Sequence, residues 1–152
     1  VIAVFRVIIV TQFGNAGYKS RKRKSENRKN IQLFYNLVKQ SKEWAISQYG
    51  VKIDIPVFLN TKKEDSLLKN NQSGYMLSSS EDVPQKIVIS KDFLEKNKTI
   101  DIQGTIKHEF LHYIGWKLDK DFDDGDEWFE NQLARNLLYS NYNIFLNYAL
   151  LS

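Results

Sequence analysis

The chain contains no cysteine. Disulfides, thiolate-held zinc ribbons and iron–sulfur centres are therefore excluded. A cysteine-free chain suits a reducing compartment, so a cytoplasmic location is the expectation. Long hydrophobic runs are also missing. Residues 1–10 are apolar except for Arg6, and ten residues are too few to cross a bilayer. No membrane span is expected, and no internal repeat is found. Histidine is nearly as scarce, with two residues in 152.

Hydrophobic residues make up 42% and charged residues 26% of the chain, as in soluble globular proteins. The length suits one domain with a core, and a monomer is expected. The net charge of +4 is unevenly spread. Lys19, Arg21, Lys22, Arg23, Lys24, Arg28 and Lys29 are seven cations against one anion, Glu26, so this segment carries +6 and the remainder −2. Any nucleic-acid contact would be local, through residues 19–29, rather than a property of the whole surface.

Residues 1–10 have the β-branched and aromatic composition of a strand. Residues 14–30 are polar and basic and read as a loop or linker, so 1–30 forms an accessory strand and basic linker. Residues 31–49 are predicted helical, with Ile31, Phe34, Tyr35, Val38 and Ala45 at helical spacing and Gly50 as the stop. Strands are predicted over 51–60, with Pro56 marking an edge or a break, over 74–80 and over 85–90. A turn at 81–84 joins the last two, and 60–73 reads as a loop. A short helix or turn covers 90–97, and a longer helix covers 101–118, capped by Thr99 or Asp101. Ile102, Ile106, Phe110 and Tyr113 form its apolar stripe. Gly104 and Gly115 leave room either for a metal and substrate or for close helix packing. An acidic turn spans 119–126, and a helix beginning at Glu127 carries Trp128, Phe129, Leu133 and Leu137 on one side. A last helix is predicted over 144–151.

Both histidines fall in one motif, His108-Glu109-Phe110-Leu111-His112, an HExxH sequence. On a helix, residues i and i+4 share a face, so the two imidazoles could hold one zinc ion while Glu109 reaches a water bound to it. A hydrolytic zinc normally takes three protein ligands. With no third histidine and no cysteine, the third must be a carboxylate, unless the site is a two-ligand vestige. The HExxHxxGxxH spacing fails because Leu118 stands where its last histidine belongs. Two arrangements stay open: a glutamate on the next helix (Glu127 or Glu130), or an aspartate of the acidic turn (Asp123, Asp124 or Asp126).

The stretch HEFLHYIGWKLDKDFDDGDEWF resembles the active-site segment of SprT-like metallopeptidases, the family that includes the Spartan DNA–protein crosslink proteases. Their pattern is HExxH, about a dozen residues, then H-G-x-x-W/F opening the next helix. Gly125 and Trp128 fall in register with it, and Asp124 stands where the family has its third histidine. The resemblance covers roughly residues 31–138 and is weaker upstream of the motif. It implies an α+β, zincin-like fold, with a small antiparallel sheet packed on helices that include the HExxH helix. Residues 31–152 would then be a minimal SprT-like domain without the zinc ribbon of longer members. It further implies one catalytic Zn2+ held by His108, His112 and Asp124, with Asp126 and Glu127 as alternative ligands and Glu109 as general base.

The expected activity is zinc-dependent peptide hydrolysis, on a protein or peptide that could itself be bound to DNA. An extended substrate would pair with an exposed strand formed by Lys86, Ile87, Val88 and Ile89. Tyr113 or a tail tyrosine is a candidate for oxyanion stabilisation. The alternative function is a nucleic-acid-associated or regulatory module that works through residues 19–29 and has a structural or vestigial metal site.

Overall fold

The computed structural model describes residues 17–60 and 73–142. The predicted strand at 1–10, most of the loop at 60–73 and the helix at 144–151 lie outside the described residues. The first described element is a helix, α1 (Gly17–Tyr49). It runs straight through the basic segment, which corrects the linker reading of 17–30. After Gly17 that segment has neither proline nor glycine. Lysine, arginine and glutamate are good helix formers, and propagating a helix from an established one is far easier than nucleating it. Downstream, Phe34, Leu37, Val38, Ser41 and Ala45 are buried at the expected spacing. Gly50, at φ +66, stops the helix, and its N–H still reaches the Ile46 carbonyl at 2.9 Å.

Pro56 breaks the next segment. Only β1 (Val57–Asn60) joins the sheet, after the Pro56 carbonyl has accepted a bond from the Ile87 N–H at 2.9 Å. β2 (Gly74–Ser78) and β3 (Pro84–Ser90) are joined by a tight turn with Asp82 at φ 57. The Ser79 hydroxyl closes that turn by accepting from the Glu81 and Val83 N–H groups. The strand order is β1-β3-β2. β3 runs antiparallel to β2, with Tyr75 opposite Val88, and parallel to β1, with Phe58 opposite Val88. The sheet is therefore mixed rather than antiparallel. Lys86, Ile87, Val88 and Ile89 form its central strand, which corrects the expectation that they make an exposed edge. The physical reason lies in the run itself. Ile87, Val88 and Ile89 are all buried, and a strand covered on both faces is continuously apolar rather than alternating.

Among the described residues three helices follow. Short α2 (Lys91–Lys96) is capped by the Ser90 hydroxyl, which accepts from the Phe93 N–H. Helix α3 (Thr99–Lys117) begins after Lys98 with no side-chain cap, so neither Thr99 nor Asp101 acts as the predicted cap. Its stripe of Ile102, Ile106, Phe110 and Tyr113 is buried, joined by Leu111 and Ile114. These side chains meet Phe34, Leu37 and Val38 of α1 and Ile87 and Ile89 of β3 in one core. Trp44 packs at its margin, with the Lys107 ammonium 5.2 Å from its ring. Helix α4 (Glu127–Arg135) adds Phe129 and Leu133 to that core. Its predicted stripe stops there. Leu137 has φ 54 and is 69% exposed, and Leu138 turns inward instead. The Tyr49 hydroxyl joins the end of α1 to α4 through Gln132 at 2.8 Å and Asn136 at 2.7 Å. The result is a mixed α+β architecture. No helix among the described residues is long and apolar enough to cross a membrane.

Candidate metal centre

Helical spacing sets the two imidazoles of α3 with ring centroids 5.1 Å apart, and α3 must then reverse to bring a carboxylate back to them. Asp119, at φ 55, starts the reversal, and the Lys120 N–H reaches back to the Gly115 carbonyl at 2.9 Å. Gly115 lets the returning chain lie against the helix. A Cβ there would sit 2.5 Å from Phe122 Cβ and 2.8 Å from Trp128 Cζ3. Close packing, rather than space for a ligand, accounts for this glycine. At Gly104 the nearest atom to such a Cβ would be Leu138 Cδ2, at 3.8 Å.

With Phe122 seated, its carbonyl lies 2.5 Å from His112 Nδ1. A carbonyl only accepts, so Nδ1 carries the proton, and in the neutral ring Nε2 keeps its lone pair. Nε2 faces Asp124 Oδ2 at 3.9 Å, and His108 Nε2 faces Asp124 Oδ1 at 3.1 Å. One ligand atom from each of His108, His112 and Asp124 lies within 4.8 Å of the others. This group could hold a metal ion. Two imidazole nitrogens and one carboxylate oxygen suit zinc better than calcium or magnesium, which prefer all-oxygen sites.

The remaining carboxylates have other roles. Asp126 turns away and accepts from the Asp123 N–H at 2.8 Å, closing the turn ahead of α4. Glu127 is exposed, and neither it, Asp126 nor Asp123 belongs to the ligand group. Glu130 accepts from the Gly125 N–H at 3.0 Å and from the Ser140 hydroxyl. The ring of Phe129 lies stacked on His112, with centroids 4.2 Å apart, and edge-on to His108 at 5.2 Å. The helical pattern assigned Phe129 only to the core, and no spacing rule marks it as a wall of the site. Tyr113 is buried in the core, its ring against that of Trp116.

Within the site three titrations are displaced. Burial opposes charge on His108, but the Asp124 hydrogen bond, the charges of Glu109 and Asp124 and a bond to the Tyr139 backbone outweigh it and raise its pKa. Burial likewise opposes ionisation of Asp124. The hydrogen bond and charge of His108, the charge of His112 and a hydrogen bond from Asn141 prevail and lower its pKa. Glu109 is 6% exposed, and burial raises its pKa against the pull of both imidazoles. No hydrogen bond holds its carboxylate among the described residues. Gly74 of β2 lies over it, where an added Cβ would be 3.4 Å from Glu109 Cγ.

No family model, curated protein or solved structure matches this chain.

Proposed function

We propose that the protein is a zinc-dependent metallopeptidase of zincin-like, SprT-like type, as its HExxH segment and Asp124-Gly125 turn suggest. The observation that carries this reading is the convergence of His108, His112 and Asp124 beside a buried glutamate on the same helix turn. A divalent ion at such a site polarises the scissile carbonyl and makes water a better nucleophile near neutral pH. The chain's own groups do the rest. Phe122 and Phe129 hold the His112 ring in one tautomer and orientation. The Glu109 carboxylate, in a poorly solvated position and with no hydrogen-bond partner among the described residues, takes the proton of the attacking water and returns it to the leaving amine. Its raised pKa brings it nearer the value at which both transfers are efficient.

The substrate strand moves from β3 to β2. β2 is an edge strand of the described sheet, and its Gly74 end adjoins Glu109. An extended peptide pairing with that edge would bring its own backbone toward the site, with little demand on side-chain sequence. The test is cleavage of an unfolded protein by the zinc-loaded enzyme and by Glu109→Gln. The variant should keep its metal and lose activity by a factor of at least ~100. Equal cleavage by both would sink the mechanism.

A second reading, compatible with the first, is supported by the continuation of α1 through the basic segment. Helical spacing puts Arg21, Lys24 and Arg28 on one side of the helix, and all three are exposed. The same three line a single surface hollow together with Ser25 and Lys29. A rigid row of cations without interleaved aromatics suits phosphate-backbone contact rather than base stacking. Salt-sensitive duplex DNA binding that weakens in the Arg21→Gln, Lys24→Gln, Arg28→Gln triple variant would support it. Salt-independent binding, or no binding, would count against it.

A further inference from the structure

We propose that Glu130 is a positioning residue for the metal-binding turn, joining the Asp124-Gly125 turn and the segment after α4 into one support for the metal ligands. This rests on the metal-site reading above. Glu130 projects from α4 beside Phe129, whose ring is fully buried and touches both imidazoles. Its Oε1 accepts from the Gly125 N–H at 3.0 Å, and its Oε2 accepts from the Ser140 hydroxyl. The Ser140 oxygen in turn accepts from the Tyr142 N–H at 3.0 Å. The two strands of chain held by this carboxylate are those that bear on the ligands. Gly125 directly follows Asp124. Tyr139 bonds His108 through its backbone, and the Asn141 side chain bonds Asp124. The Tyr142 ring covers Gly125, whose φ of +93 only glycine adopts without strain.

With both oxygens engaged by the protein, Glu130 is outside the ligand group, yet it sets where Asp124 stops relative to His108. Such partners fix ligand orientation, and losing them typically weakens metal binding by ~10–100-fold. The contribution is local, since α4 itself is anchored by Phe129 and Leu133 in the core.

The test is Co2+ and Zn2+ binding by the full chain, read by competition titration and by the visible absorption of bound cobalt. Glu130→Ala should bind both metals ~10–100-fold more weakly, with an altered cobalt spectrum. Glu130→Gln keeps an oxygen for the Gly125 N–H, and it should lie closer to the wild type in both readouts. A Glu130→Ala protein with wild-type affinity and spectrum overturns the proposal. So does loss of stoichiometric metal in Glu130→Ala while Asp124→Ala keeps it, because Glu130 would then be a ligand. Should Glu130→Ala not fold, Ser140→Ala carries the test. Weaker cobalt binding with an altered spectrum is expected, and wild-type values overturn the proposal. A wild-type protein that takes up no cobalt or zinc refutes the metal-site reading itself, and this inference with it.

Discussion

Helix α3 contains two glycines, and replacing each by alanine should change stability in opposite directions. Alanine is favoured over glycine in a helix interior by about 1 kcal/mol. At Gly104 the added methyl would meet, among the described residues, only Leu138 Cδ2, at 3.8 Å, an ordinary contact. Gly104→Ala should therefore gain about 1 kcal/mol, or about 2–4 °C in Tm for a chain of this size. At Gly115 the same propensity gain is opposed by a clash. The methyl carbon would fall 2.5 Å from Phe122 Cβ and 2.8 Å from Trp128 Cζ3. Overpacking of this kind costs about 1–3 kcal/mol, so the net effect is a loss of up to about 2 kcal/mol. Relief of the clash must move Phe122, whose carbonyl holds His112 Nδ1, or Trp128 in the first turn of α4. Gly115→Ala should therefore also weaken zinc binding, by about tenfold or more, although no atom of Gly115 is a ligand. Denaturant unfolding of the metal-free proteins measures the first effect, and competition against a chromophoric chelator measures the second. If Gly115→Ala proves as stable as Gly104→Ala and binds zinc like the wild type, the packing argument is wrong.

Other consequences can be tested in the same assays. Ser41 is fully buried, and its hydroxyl has no partner among the described residues, so Ser41→Ala should raise stability by about 1 kcal/mol; a loss of that size in denaturant unfolding would mean the hydroxyl is satisfied. Without metal, the His108–Asp124 pair stabilises the fold within a pH window. The depressed Asp124 pKa makes its share fall away as pH drops through the acidic range, and the raised His108 pKa makes its share fall away as pH climbs through His108's folded value. Metal must displace the His108 proton, so the Tm gain on adding zinc should grow as pH rises through that value; a gain that shrinks over the same range would contradict the ligand assignment. Tyr49→Phe removes bonds to Gln132 and Asn136 and should cost about 1–2 kcal/mol without altering zinc affinity, as measured by unfolding and titration.

Much of the site could be read from residue order, because its parts are local. HExxH on a helix needs only the i, i+4 rule, and the scarcity of histidine made a carboxylate the only remaining donor. The turn after α3 is short enough that Asp124 must return near its start. What the pattern could not decide was non-local. The run of Ile87, Val88 and Ile89 announces a strand, but its neighbours are chosen by tertiary packing, and its lack of alternation was the signal that it is central. The basic segment has no apolar period to separate a charged helix from a solvated linker, so the continuation of α1 through Lys24 and Arg28 was invisible. Glu130 illustrates another limit. Counting carboxylates near the histidines made it a candidate ligand, whereas its partners are an N–H and a hydroxyl. Gly115 is similar: a glycine at a helix position signals close approach or space, and only the location of Phe122 and Trp128 decides between them.

The central claim is that His108, His112 and Asp124 hold one divalent metal ion. Metal analysis of the purified, zinc-loaded protein beside Asp124→Ala, with both confirmed as folded, tests it most directly. The account predicts one tightly held zinc per wild-type chain and its loss or marked weakening in the variant. A wild-type chain that retains no zinc, or an Asp124→Ala chain that holds it as firmly as the wild type, would contradict it.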